Sequence, residues 1–148
     1  APTLRSATGL PSFTLIELLL VIGIVAILIA VTMFAVNPSD QLAKTRNAER
    51  HVGIQVVLDA LHQYSVDNQG NYPAGITSTA TDVCATGALD CSGKVDLSVL
   101  VPDYVVSIPA DPQATGNGTN YYLSQQSDRR LTVTANGAEL GESISITR

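Results

Sequence analysis

An almost unbroken apolar run, "SFTLIELLLVIGIVAILIAVTMFAVNP", occupies residues 12–38 and limits what the chain can fold into more than any other feature. Within it, residues 18–36 are 19 consecutive residues without a charged side chain. A helix of that length is roughly 28 Å long, close to the thickness of the hydrocarbon part of a bilayer. The run therefore predicts a membrane-spanning helix. It also carries one carboxylate, Glu17, near its start, where a partner is needed to offset the cost of placing a charge among apolar groups.

A second helix is predicted over residues 38–67. Asn37 is a plausible N-cap, Pro38 is tolerated at the first helical position, and Gly, Asn and Pro in "DNQGNYPAG" end the helix. Its pattern is amphipathic, so we expect a buried apolar stripe and charged residues on the other faces. The stripe consists of Ile54, Leu58, Leu61 and either Tyr64 or Ser65, and the residues away from it include Arg46, Arg50, Asp59 and Gln63.

Residues 68–148 predict a small region of loops and strands. Residues 74–94 are rich in Thr, Ser and Gly and predict a loop, and "VDLSVLVPDYV" favours a short helix capped by Asp96. "TNYYLSQQ", "RLTVTANG" and "SISITR" alternate in polarity and predict three antiparallel strands. The expected architecture is α+β, with a tail at 1–12, an apolar helix at 13–37, an amphipathic helix at 38–67 and a loop and sheet region at 68–148.

Charge and cysteine content limit the classes of function and the cellular compartment that are expected for this chain. Residues 1–50 carry a net charge of +1 and residues 51–148 a net charge of −6, without a basic patch, so nucleic acid binding is not expected. Cys84 and Cys91 lie in the loop "DVCATGALDCSG". A disulfide is favoured over two free thiols and over a zinc site, which would need further ligands. A disulfide indicates an extracytoplasmic compartment.

Catalytic chemistry is not indicated. His51 and His62 are eleven residues apart on the second helix, too far to share a metal, and we expect surface or interface positions for both. Oxygen ligands for calcium could come from Asp111, Asn117, Asn120 and Asp128. Their spacing matches no standard calcium loop, so solvated turn residues are the favoured interpretation. We expect no enzyme activity, no cofactor and no metal.

"FTLIELLLVIGIVAILIAV" resembles the N-terminal signature of type IV pilins and pseudopilins, in which Glu is the fifth residue and an apolar helix follows. The matching residues are Phe13, Thr14, Leu15, Ile16 and Glu17. The resemblance is strong over residues 13–66 and weak beyond, where "DALHQYSVDNQGNYPAG" and "LVPDYVVSIPADP" are similar to stretches of this family.

The resemblance implies a type IV pilin fold, with a long N-terminal helix packed on a small C-terminal antiparallel sheet. It implies a subunit held in the bacterial inner membrane and then polymerised with other copies into a helical filament on the cell surface, for adhesion, motility or DNA uptake. The pilus assembly machinery and the prepilin peptidase are the implied partners. The helix can lose order in the filament, and Gly23, Asn37 and Pro38 are the weak points expected here.

The leader departs from the family pattern. The peptidase of this family cuts after a Gly immediately before the Phe, whereas Ser12 precedes Phe13 and the nearest Gly is Gly9. Cleavage is expected at Gly9 or Ser12, or the whole tail is retained.

Glu17 has a specific role in the family, where the equivalent Glu neutralises the N-terminal amine of the adjacent subunit. With the tail retained, that amine is displaced. We then expect Glu17 to pair with a backbone or hydroxyl donor near Thr14 of a neighbouring copy, or with its Arg5.

Two other classes of protein remain open. A pseudopilin of a type II secretion system would share the helix, and calcium in the loop "PADPQATGNG" would favour it. A membrane-anchored extracytoplasmic binding protein would need a ligand pocket in the acidic region. An enzyme would need a nucleophile or metal constellation that the sequence does not offer.

Overall fold

In a computed structural model that describes residues 12–148, the described residues form two compact units, which divide between Pro38 and Ser39. The expectations for the tail, including Arg5 and the cleavage position Gly9, lie outside the described residues. Two helices precede a four-stranded antiparallel sheet, so the α+β architecture is confirmed.

Helix α1 comprises Leu15–Val36 and is apolar on every face. Thr14 is its N-cap, with the side-chain oxygen accepting a hydrogen bond from the Glu17 backbone N–H at 3.3 Å. The helix runs through Gly23 without a break and ends at Asn37, which has a left-handed backbone with φ 44°. Asn37 is thus the C-cap of α1, which the sequence had not predicted. Loss of helical order in a filament stays a prediction.

Helix α2 comprises Pro38–Asp67, the range expected from the sequence. Ile54, Leu58 and Leu61 are fully buried, which confirms the apolar stripe. Arg50 was expected on a polar face, and that is wrong, because its side chain is fully buried. The stripe extends toward the N-terminal end of α2 through Asn47 and Arg50, and the charge of Arg50 is neutralised by residues from loops more than 60 positions away.

The sheet has four strands in the order β1-β2-β3-β4, not three. Their bounds are Thr81–Cys84, Gly118–Gln125, Leu131–Ala135 and Ile144–Thr147. Strand β1 lies within the stretch predicted as a loop; it is only four residues long, too short for alternation to stand out among small polar neighbours. The other three strands are those predicted from the sequence.

The segment "VDLSVLVPDYV" contains only a single 3₁₀ turn, Ser98–Leu100, rather than the predicted helix. The N-cap of this turn is Leu97 and not the predicted Asp96, although the Asp96 carboxylate accepts a hydrogen bond from the Ser98 N–H at 2.9 Å. Pro102 explains the early end, since a residue before proline is disfavoured in helical geometry, and Val101 has extended φ and ψ of −101° and 132°.

One hydrophobic core holds the second unit together. The buried face of α2 contributes Ile54, Val57, Leu58 and Leu61, and the sheet contributes Leu123, Leu131, Val133 and Ile144. The strands alternate buried and partly exposed residues, as in Leu131–Ala135, so the opposite face of the sheet is available to solvent.

Candidate functional site

Helix α1 exposes an apolar surface on all of its turns, and Glu17 in the first turn is its one charged residue. Its mean hydropathy is 3.1 over the most apolar window, and none of its 22 residues is buried. Phe34 is 90% exposed and Leu15 is 80% exposed. By length and composition α1 can cross a membrane. Exposed apolar surface of this extent marks a region that lipid or another protein covers.

Glu17 is the only charged residue of α1 and lies in its first turn. Negative charge is favoured there, because the unpaired N–H groups give a helix N-terminus a partial positive charge. Within residues 12–148, the Glu17 carboxylate has neither a hydrogen bond nor an ion pair. It lines a shallow apolar cleft with Phe13, Leu18 and Val21. The carboxylate is thus held at an apolar surface, where a donor from outside this chain could reach it.

The five residues of the N-terminal signature fall on one local structure. Phe13 precedes the helix, Thr14 caps it, and Leu15 opens it. Of these five residues, Phe13 and Glu17 line the cleft. Leu15 and Ile16 do not line it, and their side chains are exposed. Ser12, one of the two cleavage positions, is exposed and has no regular secondary structure.

Cys84 and Cys91 form a disulfide with a Cα–Cα distance of 5.5 Å. Cys84 is the last residue of β1 and is buried. The loop that the disulfide closes also contacts the later part of the chain, because Thr86 Oγ1 accepts a hydrogen bond from the Ile108 N–H at 2.7 Å. The disulfide therefore joins the edge strand β1 to the loop that follows it.

A buried ion pair was missed at the sequence level. Arg50 donates from Nε to Asp111 Oδ2 at 2.6 Å and from Nη2 to Asp111 Oδ1 at 3.1 Å, and both side chains are fully buried. The hydrogen bonds that Arg50 donates to the Asp111 carboxylate raise the pKa of Arg50 above its ordinary value. Glu139 accepts from Arg46 and Arg50, and these hydrogen bonds lower its pKa to about 2.

Asp111 is therefore not a solvated turn residue, as the sequence had suggested. It accepts both bonds from Arg50, which leaves no reason to assign it to calcium. Asp128 likewise bonds Arg130 at 2.7 Å, while Asn120 lies within β2. Across residues 12–148 there is no group of three or more His, Cys, Asp and Glu residues that could hold a metal ion.

A signal for Arg50 was present in the sequence. Arg50 lies four residues before Ile54, and Asn47 three residues before Arg50, so both continue the spacing of the buried stripe. The two histidines lie on α2 as predicted: His51 is exposed and His62 is half-buried, with its ring edge-on to Tyr72 at a centroid distance of 6.2 Å.

No protein-family model, no curated protein and no solved structure matches this chain. The function proposed below therefore depends on the residues and geometry of α1 and of the second unit. The feature that most needs a functional explanation is an exposed apolar helix with one carboxylate in its first turn.

Proposed function

We propose that this chain is a type IV pilin-like filament subunit, which is stored in the bacterial inner membrane and polymerises through α1. The observation that carries the proposal is that α1 leaves all of its residues exposed while the second unit has a complete core of its own. Covering one exposed Leu, Ile or Val side chain is worth about 1.5–3 kcal/mol, so ten of them represent about 15–30 kcal/mol. That free energy requires α1 to be covered by lipid or by other copies.

Glu17 favours assembly over simple anchoring. For a helix that only anchors the chain, the partial positive charge of its N-terminus favours a carboxylate by about 0.3–1 kcal/mol, whereas a charge within the apolar part of a bilayer costs about 2.5–3.5 kcal/mol at the centre and less near the edge. In a filament, a donor near Thr14 of a neighbouring copy could offset that cost. Arg5, the other donor expected from the sequence, lies outside the described residues.

The second unit suits the outer surface of such a filament. It has its own core, a buried ion pair and a disulfide, which is typical of an extracytoplasmic domain. Under this proposal the pilus assembly machinery and a prepilin peptidase are partners, with cleavage at Gly9 or Ser12. The long helix and small sheet would then be a pilin fold.

The test compares Glu17→Gln with Glu49→Gln, a matched change of an exposed glutamate on α2, in cells that produce the chain with an assembly machinery. Sheared filaments and membranes are quantified separately by immunoblot. We expect Glu17→Gln to reduce filament yield at least tenfold with an unchanged membrane pool, and Glu49→Gln to stay within twofold. Normal filament yield from Glu17→Gln would contradict the assembly role of Glu17.

A membrane-anchored binding protein is the second candidate, because the second unit holds a polar cleft between its loops. Recovery of the chain from membranes alone, with no filaments even for the unchanged sequence, would favour this candidate. A pseudopilin receives no such support, since the carboxylate of Asp111 is already bound by Arg50.

A further inference from the structure

A polar cleft of about 460 Å³ lies between two connecting segments of the second unit. One wall is the loop 71–76, which follows α2. The other is the end of β2 and the turn to β3, with Gln125, Gln126, Ser127 and Arg129. Cavities of about 300–1,000 Å³ with a few placed polar groups are the usual size for small-molecule sites. No residue of this cleft takes part in the function proposed above.

Hydrogen bonds at both ends hold the two walls together. Arg129 Nη2 donates to the Gly70 carbonyl at 2.5 Å, and the Gln125 backbone N–H donates to the Thr77 carbonyl at 2.7 Å. Arg129 also has a left-handed backbone, with φ 69°. Such a conformation costs a non-glycine residue about 1–3 kcal/mol and persists where surrounding structure enforces it. The cleft is therefore shaped before any ligand arrives.

The lining combines apolar groups with amides and one cation. Tyr72 and Ile76 are half-buried and pack against the core. Asn71, Gln125 and Gln126 add side-chain amides. Asn71 Nδ2 already donates to the Asn68 carbonyl and Gln126 Nε2 to Thr132 Oγ1, both at 3.1 Å. Their amide oxygens and the amide of Gln125, which can both donate and accept hydrogen bonds, are left for a ligand. Adjacent hydroxyl groups of a sugar also both donate and accept, so they match this set.

Arg129 is the only charged residue among the described residues that line the cleft. Its neighbour Arg130 bonds the carboxylate of Asp128, whereas Arg129 donates to the backbone carbonyl of Gly70. A guanidinium carries five N–H donors, so donors remain for a ligand carboxylate. Arg129 is exposed on the turn, so a ligand can reach its guanidinium.

We propose that this cleft binds an acidic saccharide, with a uronate carboxylate on Arg129 and sugar hydroxyls on the amides. A peptide fits less well, because an extended peptide binds through backbone groups, and the backbone groups of Gln125 and Thr77 that join the walls already bond each other. The inference does not depend on filament formation, since an anchored monomer would carry the same cleft.

Binding is measured by isothermal titration of the full chain in micelles of a phosphocholine detergent, which has no sugar headgroup to compete. The probes are tetragalacturonate and its methyl ester, which differ in charge but not in the sugar ring. We expect the acid to bind at least tenfold more tightly than the ester. Arg129→Gln should weaken binding of the acid at least tenfold, and Arg130→Gln, the matched control on the same turn, less than twofold.

A second pair of variants keeps Arg129 and its contact to Gly70 in place. Ala74→Tyr adds a bulky side chain to the exposed wall of the cleft and should abolish binding, while Ala80→Tyr, on an exposed residue outside the cleft, should leave it unchanged. Absence of binding by the unchanged chain, equal binding of acid and ester, or equal loss in Arg130→Gln would each overturn the proposal. Tighter binding of tetraglutamate than of tetragalacturonate would overturn it in favour of a peptide.

Discussion

Glu17 and Asp111 are both carboxylates that stand beside apolar residues, one in each unit of the chain. Asp111 is 4% exposed and accepts two hydrogen bonds from the buried Arg50. Glu17 is exposed and has no partner within residues 12–148. The second unit therefore satisfies its buried charge internally, whereas α1 needs a group from outside the described chain. Under the proposed function, this difference separates a folded domain from the helix through which copies of the chain assemble.

The apolar side chains show the same contrast. Leu58 of α2 is fully buried, while Leu19 of α1 is 60% exposed. Both are leucines within helices, so the helix itself does not decide their burial. Tertiary partners from the sheet cover Leu58. Each prediction below changes one side of this comparison.

The largest effect is expected from Asp111→Ala. Removing one partner of a buried ion pair leaves the other charge uncompensated, and the free energy of unfolding should fall by about 4 kcal/mol. All five tyrosines lie in the second unit, so their near-ultraviolet circular dichroism during denaturant unfolding of the full chain in micelles reports that unit alone. Asp103→Ala, on an exposed acid, should cost less than about 0.5 kcal/mol. Equal stability of the two variants would show that the ion pair is not buried in solution.

Leu58→Ala and Leu19→Ala compare the same truncation at a buried leucine of α2 and at an exposed leucine of α1. Truncating the buried leucine should destabilise the second unit by about 3 kcal/mol, through lost burial and a cavity. Truncating the exposed leucine should change the same transition by less than about 0.5 kcal/mol. The tyrosine signal measures both variants. A large effect of Leu19→Ala would mean that α1 supports the fold of the second unit.

Removing the disulfide should have a somewhat smaller effect. The cysteines are seven positions apart, and closing so short a loop stabilises by about 2.5 kcal/mol in the chain-entropy description. Cys84→Ala combined with Cys91→Ala should lower the unfolding free energy by that amount, and reduction of the unchanged chain by dithiothreitol should do the same. If reduction does not change the unfolding transition measured by the tyrosine signal, the disulfide does not stabilise the edge of the sheet.

The smallest expected effect on stability comes from Glu139, which bonds Arg50 beside the buried ion pair. Glu139 has a pKa of about 2 in the folded unit, below the ordinary value of 4.5, because Arg46 and Arg50 donate hydrogen bonds to its carboxylate. Its stabilisation is therefore fully present above about pH 4.5 and is lost as the pH falls toward 2. Acid titration followed by the tyrosine signal should give a flatter profile for Glu139→Gln than for the unchanged chain. Glu49→Gln should retain the original slope, and an equally flat profile there would exclude this assignment.

Local patterns were sufficient to predict α1, α2 and the three C-terminal strands. An uncharged apolar run, a helical stripe and alternation over several residues are properties of neighbouring positions. Each of these patterns was long enough to identify its helix or strand from the sequence. Strand β1 was missed because four residues hold too little alternation. The 3₁₀ turn replaced a predicted helix because Pro102 stops it.

Contacts between residues that are distant in sequence could not be predicted from such local patterns. The burial of Arg50 depends on Asp111, 61 positions later, and no local pattern names that partner. The polar cleft arises because Arg129 reaches the carbonyl of Gly70, 59 positions earlier. The candidate assembly residues, by contrast, form one short segment, so the sequence alone was enough to single out Glu17.

The central claim is that other copies of the chain cover α1. Electron cryomicroscopy of filaments sheared from producing cells, at a resolution that shows side chains, tests it most directly. We predict helical fibres with residues 13–36 packed in the core, the second unit outside, and a donor of a neighbouring copy within hydrogen-bond distance of Glu17. Fibres in which α1 faces solvent, or a chain found in membranes and never in fibres, would contradict the account.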